Sequence, residues 1–108
     1  MNENGGLVSF VAIVGCAIEQ IEAWGRFGHR KVFVAAIWSA FDQTEQARWT
    51  VAEFKAQLFA AHRAQLLMLA RADLVAAMSA ELVAASEIEH HGATFHFVVD
   101  RSARELWA

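Results

Sequence analysis

At 108 residues the chain has room for one hydrophobic core and too little length for two, since a domain takes roughly 100 to 200 residues. A 56% hydrophobic share with four tryptophans and eight phenylalanines excludes the disordered class, and a formal charge of −3 with a pI near 5.9 excludes a global field drawing the molecule to nucleic acid or anionic lipid. The single cysteine, Cys16, excludes an internal disulfide framework and any multi-cysteine zinc site, and sets a reducing, cytoplasmic compartment as the expectation.

The first apolar run, LVSFVAIVGC at residues 7 to 16, admits two readings. Its Ile-Val-Gly-Cys ending resembles the lipobox at which bacterial lipoprotein signals are cut and acylated. The preceding MNENGG carries a glutamate and no lysine or arginine, however, where a signal needs a positive n-region. The run is also shorter than the ~20 apolar residues that span a bilayer. The pattern therefore favours a buried helix from 10 to about 23, capped by Ser9, with Phe10, Ile13, Val14, Ala17, Ile18 and Ile21 on one face. No membrane contact is expected.

Gly25 and Gly28 punctuate WGRFG, and a second helix is expected from 30 to 41, with Val34, Ile37, Trp38 and Phe41 on one stripe and Phe33 beside it. DQTEQAR reads as a polar loop. In WTVAEF, Thr50 and Glu53 form a capping box and Trp49 can staple onto Phe54, which starts a third helix running from 51 to about 65. Phe54, Leu58 and Ala61 should face inward with Phe59 near them, and Lys55, Gln57, His62 and Arg63 outward. LLMLAR reads as a short strand or as the helix's last turn. Residues 66 to 86 form an irregular connection with possible one-turn starts at Asp73 and Ser79.

EIEHHGATFHFV, residues 87 to 98, alternates about Gly92 as a hairpin. Any even-length loop puts Ile88, His90, Phe95, Phe97 and Val99 on a core face, and Glu87, Glu89, His91, Thr94, His96 and Val98 on the other. The closing RSARELWA begins another capping-box pattern, Ser102 to Glu105, that stops within two turns, as expected of a domain cut from a longer protein. Phe10, Ile18, Ile37, Trp38, Phe54, Leu58, Phe95 and Phe97 are the expected core.

Three helices followed by a β-hairpin resemble the winged helix-turn-helix in element order, over residues 9 to 100. The expected fold is thus α+β, a single winged-helix-like domain spanning 1 to 108. GRFGHRKVFVAAIW, FKAQLFAAHRAQLLMLARADLVAAM and VAASEIEHHGATFHFV also resemble segments of bacterial proteins to which no reaction attaches. In winged-helix DNA binders the third helix enters the major groove and the hairpin lies on the backbone or in the minor groove. That resemblance would make Gln57, His62 and Arg63 base-edge contacts and Lys55 a phosphate contact. Phosphate contacts from cations supply most non-specific affinity, yet this helix offers two permanent cations and the wing offers Glu87 and Glu89. The family's protein-binding branch fits better.

Two clusters could carry chemistry. Glu89, His91 and His96 could gather on the outer hairpin face as a divalent-metal site, but H-x4-H is no recognised signature, and a Glu89–His96 cross-strand pair is the plainer reading. That pair would lift the histidine above its ordinary ~6.5. Arg26, His29, Arg30 and Lys31 form the only concentrated basic patch, and positive charge at a helix start is mildly unfavourable unless a partner uses it. Cys16, on an apolar stripe, lacks the cationic neighbour that a reactive thiol needs, and GRFGHRK lacks a phosphate-loop spacing.

The sequence thus points to a non-catalytic binding module without cofactor or metal, recognising a protein partner or its own copy. DNA binding through residues 51 to 65, with nucleic acid as the partner, is the alternative. The candidate binding surface is Arg26, His29, Arg30, Lys31, Lys55, Gln57, His62 and Arg63. Self-association is expected through an exposed stripe of the first helix, because a mean hydropathy of +0.29 exceeds what so small an interior hides.

Overall fold

The computed structural model describes residues 3–28, 30–73 and 78–100. The first helix, α1, spans Glu3–Glu19, starting earlier than the Ser9 cap suggests, and Leu7, ahead of Ser9, also packs against the core. Phe10, Val14, Ala17 and Ile18 form its buried face, and Ile21 continues that face beyond it. Its end tightens into 3-10 geometry, with the Gln20 and Ile21 amides donating to the Ala17 and Ile18 carbonyls at 3.0 and 3.1 Å. At Gly25 the backbone passes so close to its neighbours that a Cβ there would lie 2.5 Å from Ile21 Cγ2 and 2.7 Å from Ala36 Cβ.

The helix expected from residue 30 starts later. Arg26–Phe27 (β1) and Lys31–Phe33 (β2) form a small antiparallel hairpin around Gly28, which adopts φ +75°, and only then does α2, Val34–Ala40, begin. Val32 and Phe33 are strand residues because each finds a partner across the sheet, Val98 and Phe97, so tertiary pairing overrides the helical spacing. The expected polar loop also contains a helix, α3, Gln43–Ala47, with Asp42 accepting from the Glu45 amide at 2.9 Å.

Helix α4, Val51–Arg63, has both halves of the Thr50–Glu53 capping box, at 2.9 and 3.0 Å. Trp49 lies edge-on to Phe10 at 5.5 Å, and Phe10 contacts Phe54 at 6.0 Å, so the aromatic cluster joins α1 to α4. The helix closes in a Schellman turn, in which Leu66 donates to the Ala61 carbonyl at 2.9 Å and Gln65 to that of His62 at 3.0 Å, with Gln65 at φ +64°. Then come Leu69–Ala70 (β3), Ala80–Ser86 (α5), which Ser79 caps, Ile88–His90 (β4), Ala93–Phe95 (β5) and Phe97–Val99 (β6). The start suggested at Asp73 leads into residues 74–77, and the Ser102 pattern into the last eight, both outside the described residues.

The hairpin β4–β5 pairs Ile88 with Phe95, Glu89 with Thr94 and His90 with Ala93 across a His91-Gly92 turn in which both residues have positive φ. It does not run on as one strand. At His96 the chain leaves the hairpin and inserts β6 between β2 and β3, giving a four-stranded antiparallel sheet in the order β1-β2-β6-β3. Consecutive strand residues point to opposite faces, and Phe97 and Val98 are 0% and 2% exposed, so both faces of β6 are covered. Val98 and His96, expected on a solvated face, are buried.

Helix α2 has no side-chain cap of its own. Its first amides are held from afar: Val34 donates to the His96 carbonyl and Ala35 to the hydroxyl of fully buried Ser86, each at 3.0 Å. The architecture is α+β with antiparallel sheets and more elements than three helices and a hairpin. Phe10, Ile18, Ile37, Phe54, Leu58 and Phe97 are buried as expected, while Trp38 and Phe95 are half-buried at the core margin.

Candidate functional site

The basic patch of the β1–β2 hairpin does not survive as one surface. Arg26 turns inward: Nε donates to the Ile21 carbonyl at 3.0 Å, Nη2 to that of Ile18 at 2.9 Å, and Nη1 pairs with Asp100 Oδ2 at 3.0 Å. Its guanidinium thus satisfies carbonyls at the end of α1, where orphan acceptors concentrate, and ties them to the chain just after β6. Lys31 lies half-buried with its ammonium 5.7 Å from the Phe97 ring centroid. Arg30 is exposed, and His29 lies outside the described residues.

On α4 the four outward candidates separate as well. Lys55 is half-buried, and desolvation holds its ammonium below the usual lysine range against the opposite pull of Glu87. Gln57 is half-buried in a groove of about 620 Å³ between α1 and α4 that Trp49 and Arg48 also line. His62 accepts the Leu69 amide at Nδ1, 3.1 Å away, which fixes the step from α4 into β3. Only Arg63 is exposed; the remaining exposed positions of this helix are Val51, Ala52, Glu53 and Ala56.

The hairpin β4–β5 lies back on α4. The His90 ring lies tilted against Phe59, centroids 4.2 Å apart, and edge-on to His91 at 4.1 Å, and Phe95 sits 5.1 Å from His62 and 6.1 Å from Phe59. Between them runs a groove of about 720 Å³, whose floor is Phe59, Phe95 and Leu67 and whose rim includes His62, Arg63 and Gln65. Sequence reasoning named His62 and Arg63 as outward residues of the helix and put Phe95 in the core, and it missed the groove with Gln65 and Met68, because the groove arises from a helix end meeting a hairpin some thirty residues later.

The outer-face reading of Glu89, His91 and His96 is overturned. Glu89 pairs with Thr94, His91 occupies the turn, and His96 is 7% exposed, its Nδ1 accepting the Ala72 amide at 3.1 Å. Burial lowers the His96 pKa below its ordinary value, Glu87 opposes that shift and Arg71 adds to it. The expected rise was therefore of the wrong sign. Among the described residues no three His, Cys, Asp or Glu side chains converge on a point that could hold a metal ion, and no helix is long and apolar enough to cross a membrane. Cys16, placed by its spacing on a buried stripe, is exposed.

Comparison of the chain with family models, curated proteins and solved structures found no match.

Proposed function

We propose that this chain is a winged-helix-like, non-catalytic interaction module of the protein-binding kind, and that it associates with its own copy through the outward side of α1. The observation that carries the reading is the charge map of that helix. From residue 4 to residue 18 it has no charged side chain, and its outward positions include Val8, 52% exposed, with Ala12, Gly15 and Cys16. A helix apolar on all sides ordinarily lies buried, so an uncharged outward stripe calls for a second apolar surface, and a second copy supplies one by symmetry.

The features of α4 favour this reading over DNA. Its exposed positions are largely apolar or acidic with one cation, and the hairpin packs on the helix through Phe59 and His90.

Sedimentation equilibrium tests the proposal. The wild type should populate a dimer at high micromolar concentration, and Val8→Glu should shift it to monomer with unchanged helical circular dichroism. A wild type that stays monomeric throughout overturns it. Tight DNA binding that weakens steeply with salt would favour the nucleic-acid reading instead.

A further inference from the structure

We propose that the groove between the end of α4 and the hairpin β4–β5 is a binding site for small aromatic carboxylates, a role separate from association through α1. The volume of about 720 Å³ lies within the ~300–1,000 Å³ typical of small-molecule sites, and Phe59, Phe95, Leu67 and Met68 give it the apolar walls such sites use. Met68 is 46% exposed and Phe95 half-buried, so these walls are open to solvent.

The polar groups are of one kind. Because His62 Nδ1 accepts the Leu69 amide, the neutral ring carries its proton on Nε2, which is therefore a donor. No hydrogen bond within the described residues uses that donor. Arg63 adds an exposed guanidinium without an ion pair among the described residues, and no carboxylate lines the groove. The hairpin's Glu89 shares a strand face with Thr94, opposite the face of Ile88, His90, Ala93 and Phe95 that meets α4. Donors and a positive charge beside aromatic walls complement a ligand with an aromatic body and an anionic acceptor.

Gln65 points the same way. It occupies the left-handed position that ends α4, φ +64°, where glycine is the unstrained choice. The chain instead places a side-chain amide on the groove's rim, and strain of this kind concentrates at ligand sites.

The test is a titration of the whole chain with phenylacetate, followed by amide chemical shifts of Leu69, Gln65 and Ala93. Saturable shifts are expected, with phenylacetamide at least about tenfold weaker and inorganic phosphate without effect. Arg63→Gln should weaken phenylacetate about tenfold at an unchanged melting temperature. Gln65→Gly should raise the melting temperature while weakening binding, a combination that a purely structural residue would not give. Absence of saturation by about 10 mM, phenylacetamide or phosphate binding as well as phenylacetate, or an unchanged affinity in Arg63→Gln would overturn the proposal.

Discussion

His96 gathers three structural duties in one residue. Its amide donates to the Ala70 carbonyl at 2.8 Å, its carbonyl receives Val34, and its ring nitrogen receives Ala72. Protonating Nδ1 would replace an acceptor by a second donor facing the Ala72 amide, so the folded state favours the neutral ring, in agreement with a pKa lowered by burial. The unfolded ring, with a pKa near ~6.5, binds protons more readily. The stabilisation is therefore complete above about pH 6.5 and is lost as pH falls through the lower folded value. His96→Asn keeps an acceptor near the same place without titrating in this range. It should melt below the wild type at about pH 7.5, and the gap should close as pH falls towards about 5 in paired thermal melts. A gap that widens on acidification would show the opposite linkage.

The elements whose signals are local were legible in the sequence. The capping box of α4 and the Ser79 cap of α5 each lie within four residues of the amides they satisfy, and the turn at Gly92 sits between its own strands. What was illegible depends on distant partners. The ring of His96 finds Ala72 24 positions away, and the amide of Ala35 finds Ser86 51 positions away. Nothing near residue 33 shows that α2 starts there, because its caps come from α5 and from the residue before β6. The same distance hid the groove, since Phe95 alternates as a core residue should and only the break at His96 leaves it half-exposed against α4. Ser86→Ala should accordingly destabilise the protein by about 1–3 kcal/mol, leaving the half-buried Ala35 amide without its acceptor and emptying a fully buried position. Ser79→Ala, at an exposed cap with a 3.3 Å bond, should cost about 0.5–1 kcal/mol. Urea unfolding of both variants gives the ranking, and the reverse order would remove the remote-cap account of α2.

At the scale of the molecule, the sheet is assembled out of chain order. Its two innermost strands are β2, near residue 32, and β6, near residue 98, and β6 also carries β3 on its other side. Without β6, β2 and β3 have no common neighbour, Arg26 loses Asp100, and α2 loses the His96 carbonyl. A chain ending at Phe95 should therefore lose its cooperative thermal transition and its near-ultraviolet circular dichroism while keeping part of its helical signal. A sigmoidal melt in that truncated chain would show that the helices hold together alone.

The order of the strands also bears on how the protein is made. Translation adds roughly 5–20 residues each second, so the roughly 60 residues separating Phe33 from Phe97 take about 3–12 s to appear. During that interval β2 has emerged without its main partner, and the uncharged α1 segment waits for α4, whose Phe54 packs on Phe10. The nascent chain is a hydrophobic client before it is a domain, and ribosome-associated chaperones would meet its most apolar segment first.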